Sequence, residues 1–133
     1  MKNILVITTS FILIFSSGCS NGQNQTQKTN LPPKEFSEKI NQTPDALIID
    51  VRTPDEFSAG HLVNARNIDW NGNSFESQIL TIDKSTPVFV YCQAGGRSSS
   101  ASKKMRSSGF TKVYELDGGF ADWKEAKLPV ASN

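Results

Sequence analysis

The chain has 133 residues, of which 37% are hydrophobic and 20% charged, and its formal net charge is +1. This length gives room for one domain with a core, and the composition is that of an ordinary globular protein, which argues against a disordered or fibrous class. A charge so close to zero gives no reason to expect a nucleic acid as a partner.

The amino-terminal segment differs in composition from the rest of the chain. Lys2 precedes an apolar run at residues 4–15 that ends in small residues, a pattern that predicts a secretory signal peptide over residues 1–18, cleaved before Cys19. The apolar run has 12 residues, whereas a membrane-spanning helix needs about 20. A retained anchor helix and a buried core helix are the alternatives.

The rest of the chain divides into a linker and one domain. Residues 19–31 are mostly polar and predict a flexible tether, after which residues 32–133 alternate predicted strands and helices. Apolar runs predict strands at residues 46–49, 65–68, 88–91 and 112–116, the last alternating with polar residues as a half-exposed strand would. Apolar positions three or four residues apart predict helices at residues 33–40, 54–59, 75–82, 98–105 and 120–126. This order predicts a small α/β domain, with a mostly parallel sheet flanked by helices and an active-site loop between a central strand and a helix.

Cys92 lies where the most apolar predicted strand stops and a glycine-rich segment begins. Gly95 and Gly96 permit backbone angles that turn consecutive N–H groups toward the sulfur, and the serines from Ser98 onward can cap the following helix. A helix N-terminus and the nearby Arg97 stabilise an anion, so we expect the nucleophilic thiolate of Cys92 to be favoured. A buried cysteine with a purely structural role is the alternative.

Three segments, at residues 50–62, 92–98 and 116–123, resemble in order and spacing the signatures of the single-domain rhodaneses, a family of sulfurtransferases. The resemblance implies the rhodanese-like fold and a catalytic Cys92 that carries the transferred sulfur as a persulfide. The residues that it implies for binding the substrate and the persulfide are Gln93, Ala94, Gly95, Gly96, Arg97 and Ser98.

The reaction that we expect is that of a thiosulfate sulfurtransferase. Sulfane sulfur would pass from thiosulfate or a persulfide donor to cyanide or a thiol acceptor through the Cys92 persulfide. Four residues separate Cys92 from Arg97, one fewer than in cysteine-dependent phosphatases, so by resemblance the loop fits a sulfur atom better than phosphate or arsenate. A sulfur carrier for a partner protein is the main alternative, and a phosphatase or arsenate reductase is the minor one. No cofactor and no metal are expected.

Four further residues are predicted to support the loop, namely Asp50, Arg52, Glu56 and His61. Asp50 and Arg52 follow a buried strand and are expected to form a structural pair. His61, placed in a turn, is expected to have a structural, hydrogen-bonded role rather than to act as a base. Glu56 stands near the position of a donor-binding arginine in some two-domain rhodaneses, and its carboxylate should weaken the attraction for thiosulfate. Arg97 is expected both to bind the anionic donor and to brace the loop.

Residues 16–19 resemble a bacterial lipoprotein signal, with Ser16 in place of the usual leucine-like residue. The resemblance implies a lipid on Cys19 that anchors the protein to a bacterial membrane outside the cytoplasm, in the periplasm or at the cell surface. Cys92 is then the single free thiol. The expected partners are a small-molecule sulfur donor and a thiophilic acceptor, with a protein donor or acceptor as the alternative. The basic residues 103–106 are expected to form a solvated helix face rather than a docking surface.

Overall fold

The structure, a computed structural model, describes residues 27–133. The predicted signal peptide, Cys19 and most of the predicted tether lie outside the described residues. None of the helices within residues 27–133 is long and apolar enough to cross a membrane. In chain order the elements are β1 (Asn30–Leu31), α1 (Pro33–Asn41), β2 (Leu47–Asp50), α2 (Pro54–Ala59), β3 (His61–Leu62), β4 (Arg66–Asn67), α3 (Phe75–Leu80), β5 (Val88–Tyr91), α4 (Gly96–Ser107), β6 (Val113–Leu116), α5 (Gly119–Glu125) and β7 (Val130–Ala131).

The core of the fold is a parallel five-stranded sheet with the strand order β1-β6-β5-β2-β4. A separate antiparallel pair, β3 and β7, lies outside it. The prediction of an α/β fold with a mainly parallel sheet is therefore confirmed.

The central strand β5 shows why its sequence is uninterruptedly apolar. Val88 and Val90 belong to one hydrophobic cluster, together with side chains of α3 and α4. Phe89 and Tyr91 belong to a second cluster on the other face, with side chains of α1 and α5. All four residues are fully buried, because helices cover both faces of the sheet and no polar alternation is needed.

The strand order positions the functional site. From β2 the chain runs to β4 on one side and then returns to β5 on the other, so the direction of winding reverses between β2 and β5. These two strands pair in register, with Asp50 opposite Tyr91. Ligands of open α/β sheets bind at the carboxyl ends of the strands at such a reversal. Cys92 follows β5 directly and Arg52 follows β2, so both lie at this edge.

The folded domain begins earlier than predicted, which corrects the end of the tether. Asn30 and Leu31 form β1 at the edge of the sheet, paired with β6, and Leu31 is 6% exposed. The amide of Glu115 also donates a hydrogen bond of 2.7 Å to the carbonyl oxygen of Thr29. Leu31 is an apolar side chain at the end of a polar segment, and its burial draws the preceding residues onto the sheet.

Three further expectations differ from the structure. His61 lies in β3 rather than in a turn, because Leu62 and His61 pair with β7 at the carboxyl end of the chain. The strand β6 is buried on both faces rather than half exposed, since α4 and α1 cover its two faces and only Glu115 keeps partial exposure. Leu80, one of the apolar residues in the helix predicted at residues 75–82, is 68% exposed because it is turned away from the helix face that carries the buried Phe75 and Ile79.

Candidate active site

The sulfur of Cys92 lies at the base of a tight loop between β5 and α4. Cys92 is 1% exposed. Its Sγ accepts a hydrogen bond from the amide of Gly95 at 3.1 Å and lies 3.4 Å from Oγ of Ser98. Gly95 has φ +110°, a conformation that favours glycine, and this turns its N–H group back toward the sulfur. The chain therefore surrounds the sulfur with donors, as an anion requires.

The electrostatic balance in the loop favours the thiolate. Burial raises the pKa of Cys92, but hydrogen bonds from the Ser98 hydroxyl and from the amides of Ser98, Gly95 and Ala94 outweigh it, so that the pKa is lowered from its ordinary value. A thiolate is the nucleophilic form of cysteine. The same donors suit a persulfide on this sulfur, since it also carries one negative charge.

The Ser98 hydroxyl is placed to follow the protonation state of Cys92. In the thiol form it donates to the carbonyl oxygen of Gly95 at 3.1 Å and accepts from the sulfur. That carbonyl oxygen also accepts a bond of 3.0 Å from the amide of Ser99. When Cys92 loses its proton, the hydroxyl can therefore turn toward the sulfur without leaving the carbonyl unpaired.

Two expectations about this loop are wrong in detail. The N-cap residue of α4 is Gly95, which has no side chain, so the serines do not cap the helix. The Ser98 hydroxyl instead forms a hydrogen bond with the Cys92 sulfur. Gly96 is already the first residue of α4 and has no positive φ, so the loop needs the glycine conformation only at Gly95.

A second element fixes the loop from behind, and we did not predict this contact. The amides of Phe120 and Ala121, in the first turn of α5, donate to the carbonyl oxygens of Cys92 and Gln93 at 2.8 and 3.1 Å. Gly119, with φ +64°, makes this approach possible, since a Cβ there would lie 2.6 Å from the Cys92 carbonyl oxygen. The paired glycines of the closing segment were the signal for such a close backbone approach.

Arg97 is bound by Glu56, a pairing that the sequence did not suggest. Its Nη1 and Nη2 donate to the two carboxylate oxygens of Glu56 at 2.7 and 2.9 Å. Glu56 also accepts from Thr53 N and Oγ1 and completes a capping box at the start of α2. The hydrogen bond from Arg97 is the main reason why the pKa of Glu56 is lowered to about 2. Arg97 therefore braces the loop against α2, with its charge compensated.

Asp50 and Arg52 form the expected pair at the end of β2. Arg52 Nη2 lies 2.7 Å from Asp50 Oδ2, and the two side chains are 2% and 0% exposed. Burial lowers the pKa of Arg52, but the hydrogen bond and charge of Asp50 raise it above its ordinary value. Arg52 also donates to the carbonyl oxygen of Gly60 at 2.6 Å and to Oε1 of Gln93 at 3.3 Å. The pair thus links β2 and the end of α2 to the loop.

His61 contacts α2 rather than the sulfur. Its Nδ1 lies 2.8 Å from the carbonyl oxygen of Phe57, and its ring stacks on Phe57 with centroids 3.8 Å apart. In the part of the chain that the structure describes, neither His61 nor any other residue belongs to a group of three potential metal-ligating side chains.

Most of the predicted basic face on α4 is paired with acidic side chains. Lys104 contacts Glu76 at 2.7 Å and Arg106 contacts Glu115 at 3.0 Å. Lys103 is exposed. The face therefore carries little free charge.

Comparison with known proteins agrees with the geometry. The family model for the rhodanese-like domain matches residues 32–126. The uncharacterized protein YqhL of Bacillus subtilis is 37% identical over 120 residues, which are 90% of this chain and 90% of that protein. The thiosulfate sulfurtransferase GlpE of Pseudomonas putida is 35% identical over 94 residues, 71% of this chain and 83% of GlpE.

Solved structures agree at the level of the fold. The crystal structure of the Alr3790 protein from Anabaena has a TM-score of 0.70 at 26% identity, with 77% of this chain and 82% of that chain covered. A rhodanese-related protein from Thermoplasma volcanium has a TM-score of 0.69 at 23% identity, with coverage of 78% and 98%. The match of the family model over residues 32–126, together with the identity to GlpE, shows that the chain belongs to the family of rhodanese-like domains.

Proposed function

We propose that this protein is a sulfurtransferase that takes the outer sulfur of thiosulfate, or of a small persulfide, onto Cys92 and passes it to cyanide or a thiol. The observation that carries the proposal is the set of donors around the Cys92 sulfur, which lowers its pKa in a loop anchored on both sides. The likeness to GlpE, which is named a thiosulfate sulfurtransferase, supports it.

The reaction has two displacement steps. In the first, the Cys92 thiolate attacks the outer sulfur of thiosulfate, the sulfur–sulfur bond of thiosulfate breaks, and sulfite leaves with the electron pair. In the second, cyanide attacks the outer sulfur of the Cys92 persulfide and leaves as thiocyanate, which regenerates the thiolate. The Gly95 amide and the Ser98 hydroxyl stabilise one negative charge in both resting states. Neither step needs a proton transfer, so His61 has no part in it.

The position of Arg97 argues against a phosphatase or an arsenate reductase. In a loop built for a tetrahedral oxyanion the arginine has to bind the oxyanion, whereas here both of its terminal nitrogens bind Glu56. The burial of Cys92, which is 1% exposed, favours small donors over a persulfide on the surface of a partner protein. This weakens the case for a carrier module.

The test is to incubate the protein with thiosulfate and cyanide and to measure thiocyanate. Intact-protein mass spectrometry after thiosulfate alone should show the mass of one added sulfur in the wild type and none in Cys92→Ser. Absence of both thiocyanate and the adduct would refute the proposal. Phosphate release from a phosphate monoester by the wild type would favour the phosphatase alternative, whereas release that appears only in Glu56→Gln would agree with Arg97 being occupied by Glu56.

We also propose that the protein is a lipoprotein held at a membrane outside the cytoplasm by a lipid on Cys19. The support is the sequence of residues 1–19, which lie outside the described residues. Mass spectrometry of the mature protein extracted from membranes tests this, since lipid on Cys19 and sulfur on Cys92 are measured together. A chain that retains residues 1–18 would contradict it.

A further inference from the structure

A pocket of about 280 Å³ opens beside the loop, between α2, α5 and Gln93. The residues that line it are Arg52, Glu56, Ala59, Gly60, Gln93, Phe120 and Lys124. Three of them are charged. Since water occupies roughly 30 Å³ per molecule in the liquid, the pocket has room for a small polyatomic ion.

The charges of the pocket largely cancel. Arg52 is paired with the buried Asp50, and Glu56 is paired with Arg97. Lys124 has neither an ion pair nor a side-chain hydrogen bond within residues 27–133. The net charge that the pocket presents is therefore positive, and it comes from Lys124.

Lys124 has an exposed side chain, and one contact with Phe120 places it near the loop. The ammonium group of Lys124 lies 5.1 Å from the centre of the Phe120 ring. The Cζ atom of Arg52 lies 4.2 Å from the centre of the same ring. Phe120 is also the residue whose amide bonds to the Cys92 carbonyl oxygen at 2.8 Å. Lys124 follows it by four residues on α5 and so lies on the same side of the helix. The cation–π contact holds the charge near the pocket, one helical turn from the loop.

We propose that Lys124 binds the oxyanion end of the sulfur donor in this pocket, in place of Arg97, and so makes small anionic donors such as thiosulfate the preferred class. This inference rests on the proposed function. The sulfonate-like oxygens lie toward Lys124, and the outer sulfur lies toward Cys92. As the sulfur–sulfur bond breaks, the electron pair moves onto the departing sulfite, so Lys124 faces the end of the donor where negative charge remains.

The first test measures binding without turnover. Thiosulfate is titrated into the full chain carrying Cys92→Ser, and amide chemical shifts report the dissociation constant. Adding Lys124→Gln should weaken binding about three- to tenfold, as expected for a partly solvated charge contact, whereas Lys124→Arg should restore it. Lys127→Gln is the matched control, since Lys127 is exposed on the same segment and outside the pocket. It should change binding by less than about twofold.

Salt provides a second readout that a structural role would not move. High salt should weaken thiosulfate binding to the parent and should have less effect once Lys124 is replaced. Equal binding with and without Lys124→Gln, an equal loss with Lys127→Gln, or no binding at all to Cys92→Ser would each overturn the proposal.

The kinetic test separates this proposal from the proposed function. With Cys92 intact, Lys124→Gln should raise the KM for thiosulfate and leave kcat nearly unchanged. Methanethiosulfonate carries one negative charge instead of two, so its KM should rise less in the variant. The thiolate takes the outer sulfur from this donor, and methanesulfinate leaves with the electron pair. If sulfur transfer occurs but KM is the same in the variant, Lys124 is excluded and the sulfurtransferase stands. If thiosulfate binding depends on Lys124 but Cys92 gains no sulfur, the sulfurtransferase is excluded.

Discussion

The Ser98 hydroxyl should set much of the thiolate character of Cys92, and Ser98→Ala tests this directly. The variant removes an oxygen 3.4 Å from the sulfur and leaves the Gly95 amide, 3.1 Å away, in place. It also leaves the Gly95 carbonyl oxygen with its bond from the Ser99 amide. The change is therefore confined to the donor set of the sulfur.

The expected size follows from the strength of one hydrogen bond to a charged group. Losing such a bond costs about 1.5 kcal/mol, which corresponds to about one pKa unit. Because the pKa of Cys92 is lowered in the folded protein, its thiolate persists below the ordinary range for cysteine. In Ser98→Ala the titration should move upward by about one unit, and sulfur transfer at neutral pH should slow for lack of thiolate.

The assay follows the ultraviolet absorbance of the thiolate against pH, with the same titration of Cys92→Ser subtracted so that other groups cancel. Ser100→Ala is the matched control, because Ser100 lies on α4, is exposed and makes no side-chain hydrogen bond in the described range. A Ser98→Ala midpoint equal to that of the wild type would refute the assignment. So would an equal shift in Ser100→Ala.

Three further changes test the supports of the fold and the loop. Gly119→Ala should lower the free energy of unfolding by more than about 2 kcal/mol and reduce persulfide formation, because its Cβ would lie 2.6 Å from the loop backbone. Gly109→Ala is the control, since Gly109 also has a positive φ but the nearest atom to its Cβ would be 3.9 Å away. It should lower the free energy of unfolding, measured by chemical denaturation, by about 1 kcal/mol. Ser102→Ala should be more stable than Ser100→Ala by about 1 kcal/mol, since the Ser102 hydroxyl is buried without a hydrogen-bond partner in the described structure; equal stabilities would contradict this. Glu56→Gln keeps the capping interaction but loses the charge, and should cost about 1 kcal/mol at neutral pH, because the pair is about a third exposed. As the pKa of Glu56 is lowered from 4.5 to about 2, this difference in unfolding free energy should be present above pH 4.5 and vanish as the pH falls to about 2; a difference that persists at the lowest pH would contradict it.

The central part of the fold could be predicted because its residues carry local patterns. The apolar run of β5 and the helix periodicity of α1 follow from burial of neighbouring residues, which repeats along the sequence. The strands β1, β3 and β7 have two residues each, too few for any period. They exist because of pairing with distant segments, β1 with β6 and β3 with β7. Local sequence patterns therefore cannot predict short strands of this kind.

In the candidate site, too, the contacts between residues close in sequence could be predicted and those between distant residues could not. Cys92, the glycine at 95 and the Asp50–Arg52 pair were identified because each lies within a few residues of the strand end that places it. The Glu56–Arg97 pair joins residues 41 positions apart, and no local pattern predicts it. The capping box that holds Glu56 was visible as a threonine three residues before it, but a cap does not reveal what else the carboxylate binds.

This pairing changes what the loop arginine can do. An arginine next to a nucleophilic cysteine suggests anion binding, because its residue type and position fit that role. In the structure both terminal nitrogens of Arg97 donate hydrogen bonds to Glu56. Because this carboxylate carries the opposite charge, it reduces the electrostatic attraction of Arg97 for an incoming anion. The attraction for an anionic donor then depends on a cation without such a partner, and among the residues that line the pocket this is Lys124. We therefore expect the availability of a charge, rather than its presence in a motif, to decide which residue binds an anionic donor.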